Sequence, residues 1–260
     1  MLKKRPDGFH EIASLFQAVD LCDTLTIDHS SEEDSLSSFN PTLPTDHTNL
    51  IMRAASLFKE KTGCTKKFAF TVEKRIPMEA GLGGGSSNAA TTLWGLNQLT
   101  NSGVDDSTLA KWGAEIGSDV SFFFSNGTAY CEGRGELLMS VSLPQEKTFW
   151  LAKPKEGLTT PLVYKTTIVD KLQNRDPTES LGRWLKGESF FFNDLEKAAF
   201  TLLPSLSKLR DKLQTLGFDK VHMTGSGTVF VCEGDVEAPS LPGVTFFPVK
   251  TLTRRGEGWY

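Results

Sequence analysis

The chain has 260 residues, 38% of them hydrophobic, and a formal net charge of −4 at pH 7. This length allows one large domain or two modest ones, and the acidic balance disfavours a nucleic-acid-binding protein, which would carry a basic face. No apolar run approaches the ~20 residues of a membrane span, so we expect no membrane partner. The cysteines are scattered without metal-ligand spacing, which predicts reduced thiols and a cytoplasmic location. They are Cys22, Cys64, Cys131 and Cys232.

The first elements are a turn and two strands. Residues 3–8 are predicted to form a turn, because Pro6-Asp7-Gly8 has turn chemistry. Strand-like residues follow over 9–12 and 14–21 and continue over 23–27. A domain that begins at a turn lacks a leading element, so we expect the native protein to be longer than the printed chain.

Three further elements precede the most informative stretch. The acidic, serine-rich segment 30–46 is predicted to be an exposed loop with a short strand. Residues 49–62 form an amphipathic pattern that predicts a helix, with Thr48 or Asn49 as its cap. Residues 68–73 alternate between apolar and polar side chains and predict a strand.

A glycine-rich segment lies between that strand and a helix, which residues 101–103 end. Its glycines leave the backbone bare, so a ligand can approach closely, and the N-terminus of the following helix favours an anion. The hydroxyl groups of Ser86 and Ser87 would help hold a magnesium ion. We therefore predict a phosphate-binding loop. Its residues are Pro77, Met78, Glu79, Ala80, Gly81, Leu82, Gly83, Gly84, Gly85, Ser86 and Ser87.

The amino-acid sequence of this segment excludes two better-known kinds of phosphate-binding loop. A Walker A loop ends in Gly-Lys-Ser/Thr, whereas Gly85 is followed by Ser86 with no lysine. A dinucleotide fingerprint requires a glycine where Ser86 stands, and the protein-kinase motifs His-Arg-Asp and Asp-Phe-Gly are missing. A merely flexible glycine loop is the alternative, and the helix that follows disfavours it.

Asp119 is the candidate catalytic residue. It follows a helix predicted over residues 104–116, for which Asp106 and Ser107 are cap candidates. Its carboxylate stands alone between a glycine and an apolar run, where it can accept a hydroxyl proton beside a transferring phosphate. The alternative is a helix cap for the next turn.

The second half of the chain is predicted to form a hairpin and then a separate domain. A hairpin is predicted over residues 128–132 and 136–141, and a change in sequence character around residues 143–147 predicts a domain boundary, with units 1–146 and 147–260. A strand over residues 149–152 and a helix from Thr159 follow. Residues 195–216 have helical patterning broken by Pro204. Residues 221–231 predict a strand, a glycine turn and a strand, and the turn is either a simple hairpin or part of a site.

Three stretches, residues 77–90, 117–120 and 224–228, resemble the GHMP kinase family in this order. The first is similar to that family's ATP loop over a long and specific match. The resemblance implies an α+β fold with two domains, an N-terminal domain like ribosomal protein S5 domain 2 and a ferredoxin-like C-terminal domain. It also implies ATP as co-substrate, Mg²⁺, and an active site in the cleft between the domains.

Within the family, residues 5–11, 74–78 and 193–196 are similar to members that act on a cytidine-diphosphate-linked methylerythritol. This resemblance implies phosphorylation of the 2-hydroxyl by ATP, in non-mevalonate isoprenoid biosynthesis. Asp119 stands at the position of the family's catalytic aspartate. A flat cytosine suits a stacked ring and a histidine at its edge. The implied substrate-binding residues are Phe9, His10, Phe16, Lys74, Thr160, Tyr164, Gly225 and Ser226.

One part of the family pattern is missing. Family members begin with a strand carrying Pro-Ala-Lys-x-Asn, whose lysine lies near the catalytic aspartate, whereas Lys3 and Lys4 are predicted to lie in the opening turn. A missing strand exposes a sheet edge. Two alternatives therefore stay open: a family kinase acting on a mevalonate-type alcohol, homoserine or a sugar, and a non-catalytic nucleotide-binding protein. Phe9, His10 and Tyr164 argue against the first, and the net charge argues against RNA binding.

Overall fold

The computed structural model describes residues 1–142, 145–188, 191–254 and 258–259. They form an α+β structure with three sheets. The strands are β1 (Lys3–Lys4), β2 (His10–Gln17), β3 (Thr24–Ser30), β4 (Ser35–Ser38), β5 (Lys67–Glu73), β6 (Thr128–Gly133), β7 (Leu137–Ser140), β8 (Thr148–Pro154), β9 (Lys220–Met223), β10 (Phe230–Glu233) and β11 (Val244–Lys250). The α-helices are α1 (Leu50–Thr62), α2 (Gly84–Thr100), α3 (Asp106–Ile116), α4 (Thr160–Thr166), α5 (Pro177–Leu185), α6 (Glu196–Leu202) and α7 (Ser205–Thr215). Short 3-10 turns lie at Ser121–Phe124 and Val169–Lys171.

The first sheet has the antiparallel order β1-β2-β6-β7. The predicted hairpin of β6 and β7 is confirmed. The expectation that Lys3 and Lys4 lie in a turn is wrong: they form the edge strand β1 and pair with Glu11 and His10. The turn is shorter than predicted, because the Arg5 N–H donates to the Phe9 carbonyl and closes it.

The second sheet has the order β3-β5-β4 and packs against α1, α2 and α3. The short strand predicted in the acidic segment is β4, which runs parallel to β5. Asn49 caps α1 by accepting from the Ile51 N–H. The cap of α3 is Asp105, which accepts from the Thr108 N–H, so the cap candidates Asp106 and Ser107 are wrong by one and two positions.

The core of this region explains why α2 can begin at the glycines. Ala89, Ala90, Leu93 and Leu96 are fully buried, so the helix face toward the sheet is apolar. Burial of this apolar face stabilises the helix more than its local propensity does. The core thereby fixes the helix whose N-terminus begins at the glycine segment.

The third sheet has the order β11-β8-β10-β9 and packs against α6 and α7. The strand predicted over residues 149–152 and the helical break at Pro204 are confirmed, since α6 ends at Leu202 and α7 begins at Ser205. Leu143 and Pro144, where the predicted domain boundary begins, lie outside the described residues. The division at residue 146 stays a prediction.

The last residues of the chain return to its first half. Thr251 forms a β-bridge with Val19, and the Leu252 N–H donates to the Ala18 carbonyl at 2.8 Å. Trp259 stacks on Trp94 of α2, with ring centroids 5.3 Å apart. The two halves are therefore tied together by the end of the chain. No helix in the described part of the chain is both long and apolar enough to cross a membrane.

Candidate active site

The predicted phosphate-binding loop, residues 77–87 and called the phosphate loop below, connects β5 to the first turn of α2 as expected. Gly81 and Gly83 both have left-handed φ angles, +70° and +67°, which an L side chain rarely adopts. Gly83 is the N-cap of α2 and has no side chain to offer its first turn. The first N–H groups of a helix have no partner within the helix, so those of α2 remain available to an anion.

A buried ion pair anchors both ends of the phosphate loop. Lys74 pairs with Asp23, and their side chains are only 6% and 1% exposed. Asp23 also accepts from the backbone N–H groups of Arg75 and Ile76 at 2.7 and 2.8 Å, before the loop. It accepts from the side chain of Asn88 in α2 at 3.0 Å, after the loop. One carboxylate thus fixes the chain on both sides of the glycines.

Lys74 was predicted to contact the substrate, and the structure gives its ammonium group another partner. The group is committed to Asp23 and lies beneath the start of α2, where a β-carbon on Gly84 would be 3.3 Å from it. Its positive charge therefore lies close to the phosphate loop. Sequence reasoning missed Asp23, whose only local signal is an acidic residue at the start of a predicted strand.

The segment of residues 224–228, called the third motif below, packs directly on the phosphate loop. A β-carbon on Gly81 would lie 2.7 Å from the Thr224 carbonyl oxygen, and one on Gly225 would lie 3.0 Å from the Gly81 carbonyl oxygen. The Val229 N–H donates to the Ala80 carbonyl at 3.4 Å. The glycines at both positions are thus required for close approach of two backbones, and a simple hairpin turn does not describe this segment.

Asp119 lies deep among protein atoms, but its side chain is open to solvent. A β-carbon on Gly135 would be 3.6 Å from Asp119 Oδ1 and 3.9 Å from Phe16, so the β6–β7 turn forms one wall beside it. Loss of hydration in this enclosed position raises the pKa of Asp119 above its ordinary value. An open carboxylate surrounded by protein is typical of a residue at the base of a cleft.

An aromatic pair, His10 and Tyr164, lies in the same region. The rings of His10 and Tyr164 are 5.4 Å apart at their centroids and tilted by 46°. Burial and the charge of Asp119 raise the pKa of Tyr164 to about 12. Burial, with the charge of Lys4, lowers the pKa of His10. His10 is therefore neutral at pH 7, with one nitrogen donor and one acceptor.

The remaining predicted aromatics line the same region. Phe9 is 51% exposed, and the guanidinium carbon of Arg134 lies 5.0 Å from its ring centroid. Arg134 is held in turn by Glu136, whose carboxylate accepts from its backbone N–H at 2.6 Å. Phe16 packs edge-on against Phe122. Sequence reasoning missed Arg134, which lies between the two predicted strands of the hairpin.

Thr160 and Ser226 join the aromatic region to the third motif. Their hydroxyl groups are 2.8 Å apart. Thr160 is the first residue of α4, which also carries Tyr164, and Ser226 is buried. The structure therefore brings the phosphate loop, the third motif and the α4 residues into one continuous site, and Tyr164 lies close enough to feel the charge of Asp119.

A family model and a solved structure match this fold. The model described as GHMP kinases N terminal domain matches residues 49–127, which include the phosphate loop and Asp119. A crystal structure of a 4-(cytidine 5'-diphospho)-2C-methyl-D-erythritol kinase is 32% identical and superposes with a TM-score of 0.78. The match covers 96% of this chain and 94% of that one. The α+β fold is thus the two-domain GHMP kinase fold.

Curated relatives extend the likeness to the whole chain. A 4-diphosphocytidyl-2-C-methyl-D-erythritol kinase from Protochlamydia amoebophila is 42% identical over 100% of this chain and 88% of its own length. The chloroplastic enzyme of the same name from Mentha piperita is 39% identical, over 99% of this chain and 68% of its own length. The chain belongs to the GHMP kinase family and, within it, to the 4-diphosphocytidyl-2-C-methyl-D-erythritol kinases.

Proposed function

We propose that this chain transfers the γ-phosphoryl group of ATP to the 2-hydroxyl of 4-diphosphocytidyl-2-C-methyl-D-erythritol. The products are the 2-phosphate and ADP, and the reaction belongs to non-mevalonate isoprenoid biosynthesis. The observation that carries this proposal is that Asp119 and Phe16 flank the same position of the β6–β7 turn, since a β-carbon on Gly135 would lie 3.6 Å from Asp119 Oδ1 and 3.9 Å from the Phe16 ring. A candidate proton acceptor and a candidate base-binding ring thereby belong to one cleft.

In this proposal ATP lies with its phosphate groups over residues 81–87. The N–H groups at the start of α2 and the serine hydroxyls of Ser86 and Ser87 bind the anionic oxygens. Lys74 acts from beneath the loop, where its ion pair with Asp23 also holds the loop in shape. Catalysis then depends mainly on positioning and on electrostatic stabilisation of the transferring group.

Mg²⁺ would arrive with the nucleotide. Among the residues that the structure describes, no group of three or more His, Cys, Asp or Glu side chains could hold a metal ion. Mg²⁺ bound through phosphates needs only one or two protein ligands, and the Ser87 hydroxyl, which donates to the Gly84 carbonyl at 2.9 Å, keeps its lone pairs free. The ion would neutralise charge on the phosphates, and Ser86 and Ser87 would hold it.

Asp119 receives or orients the 2-hydroxyl. As a base it accepts the hydroxyl proton while the oxygen attacks the γ-phosphorus and ADP leaves. As an electrostatic group it holds the hydroxyl in line without taking the proton early. Both roles require the ionised carboxylate, and the raised pKa brings it closer to a useful range for proton transfer.

The substrate's cytosine would bind at the aromatic region. Neutral His10 can match the base's donor and acceptor edge, and Phe9, Phe16 and Tyr164 supply aromatic faces. Thr160, Gly225 and Ser226 line the passage from this region to the phosphate loop. We also propose the domain division at residue 146 and a cytoplasmic location, for which the four free thiols are the support.

A coupled ADP-release assay tests the activity. The cytidine-diphosphate substrate should give ADP release that depends on Mg²⁺, whereas mevalonate, homoserine and galactose should give at least about 100-fold lower kcat/KM. Turnover of one of those alcohols instead would show that the chain has the activity of another branch of the family. Tight ATP binding without ADP release on any substrate would support a non-catalytic nucleotide-binding protein.

A further inference from the structure

Asn193, which precedes α6, makes a set of contacts that the proposed function does not use. Its Nδ2 donates to the carbonyl oxygens of Met223 at 2.7 Å and of Gly225 at 2.8 Å. Its Oδ1 accepts from the Leu195 N–H at 2.9 Å. Because both amide hydrogens and the oxygen are engaged, the orientation of the amide group is fixed.

Glu196 adds a fourth contact from the same segment. Its Oε1 accepts from the Met223 N–H at 2.7 Å. Both backbone groups of Met223 are therefore held by side chains of residues 193–196. The chain consequently enters the third motif from a fixed position, although the motif itself is rich in glycine and has little intrinsic stiffness.

The Gly225–Ser226 peptide offers one N–H group of the third motif that is able to bind an anion. In a trans peptide the C=O and N–H groups point in opposite directions, so a Gly225 carbonyl aimed at Asn193 directs the Ser226 N–H away from Asn193. In the described chain no hydrogen-bond acceptor is paired with this N–H. The motif meanwhile touches the phosphate loop at Gly81.

We propose that Asn193 is a positioning residue for the nucleotide. By holding the carbonyl oxygens of Met223 and Gly225, it keeps the Ser226 N–H turned toward the phosphate groups of ATP beside the phosphate loop. This inference rests on the proposed function, because it takes the bound phosphates to be those of ATP. Asn193 itself touches neither ATP nor the second substrate and acts through the third motif.

Asn193→Asp is the informative variant. The side chain keeps its shape but loses both donors, and its oxygens then face two carbonyl oxygens. We expect the dissociation constant of a non-hydrolysable ATP analogue to rise at least about tenfold, with a matching rise in KM for ATP and a smaller fall in kcat. The dissociation constant of CDP should stay within about twofold. Asn193→Ser, which retains one donor, should give an intermediate value and serves if the aspartate variant does not fold.

Asn97→Asp is the matched control. Asn97 is 6% exposed and makes the same kind of contact, donating to the Val104 carbonyl at 2.8 Å and accepting from the Val104 N–H at 3.0 Å. It lies near the far end of α2, so its loss should lower thermal stability and leave the affinity for the ATP analogue unchanged. If Asn193 served only the stability of the fold, Asn193→Asp and Asn97→Asp would weaken nucleotide binding by the same factor when their thermal midpoints are equal.

The outcomes separate the two proposals. Unchanged affinity for the ATP analogue in the Asn193 variants overturns the positioning role and leaves the kinase function intact. An unmodified chain that binds the analogue but transfers no phosphoryl group overturns the kinase function, and the positioning role is still decided by the binding data. An unmodified chain without affinity for the analogue overturns both.

Discussion

At the scale of the residue, the unusual feature is a carboxylate that solvent can reach but protein surrounds. Within the described residues Asp119 accepts no hydrogen bond, and loss of hydration raises its pKa. Asp105, in contrast, accepts from Ser107 and Thr108, and these hydrogen bonds lower its pKa to about 2. The two carboxylates show how environment separates a capping residue from a candidate catalytic one.

Replacement of Asp119 by Asn should remove activity without removing nucleotide binding. We expect kcat to fall about 10²- to 10⁴-fold, because the amide can neither accept the proton nor carry the charge. The affinity for an ATP analogue should stay within about threefold. Asp28→Asn, at an exposed position of β3, is the charge-matched control. A kcat close to that of the unmodified chain would remove Asp119 from the mechanism.

The pH dependence of kcat/KM should report the same group. The free Asp119 carboxyl has a pKa raised by burial above its ordinary value of 3.8, and the ionised form is the active one. Activity should therefore be lost as pH falls through that raised pKa, at a higher pH than an unperturbed aspartate would give. The residual activity of Asp119→Asn should lack this acidic limb. A limb that persists in the variant would belong to another group.

At the scale of the element, the site depends on two glycine segments whose backbones touch. Gly81 is needed both for its φ angle and for the space that the Thr224 carbonyl oxygen occupies. Gly63 has nearly the same φ angle, +71°, but a β-carbon there would meet nothing within 4 Å. The pair of glycines therefore separates the effect of backbone conformation from the effect of packing between segments.

Gly81→Ala should raise KM for ATP at least about tenfold, because a displaced third motif no longer faces the phosphate loop. Gly63→Ala should cost about 1 kcal/mol of unfolding free energy and leave KM for ATP unchanged. Steady-state kinetics and urea unfolding measure the two effects. Equal changes in KM for both variants would mean that the contact between the segments does not matter for nucleotide binding.

At the scale of the whole molecule, the chain's end holds the first half in place. Trp259 stacks on Trp94, donates from its indole N–H to Thr91 at 2.9 Å, and packs near Phe124. Arg254 forms an ion pair with Asp106 of α3 at 2.6 Å. These contacts lie on helices that follow the phosphate loop, so the last residues of the chain support the site from behind.

Trp259→Ala should lower the unfolding free energy by about 2 kcal/mol, since it removes a half-buried aromatic pair and a hydrogen bond. Phe39→Ala, whose side chain is 91% exposed, should change it by less than about 0.5 kcal/mol. Equilibrium unfolding in urea with both variants gives the comparison. A loss for Trp259→Ala no greater than for Phe39→Ala would show that the end of the chain is not needed for stability.

Local sequence patterns predicted the elements correctly where hydrophobic periodicity agrees with residues that start or end helices and strands. The strand before the phosphate loop, helix α2 and its end at Asn101, and the break between α6 and α7 all follow from alternation, helical spacing and residues that end helices. The two candidates for the cap of α3 lie one and two positions after Asp105, an error that is typical of helix boundaries. The edge strand β1 was missed because two residues carry no periodicity.

The contacts of Asp23 and Asn193 could not be predicted from such patterns. Asp23 is 51 positions from Lys74, and Asn193 is 32 from Gly225. Neither contact can be predicted from neighbouring residues, because an ion pair or a side-chain hydrogen bond between distant residues depends on which surfaces the fold brings together. The sequence by itself determined that a bare backbone segment at a helix start binds phosphate, since glycine and helix N–H groups are local features. Only the tertiary structure decided which side chains hold that segment in shape, since those contacts exist only once distant elements have packed.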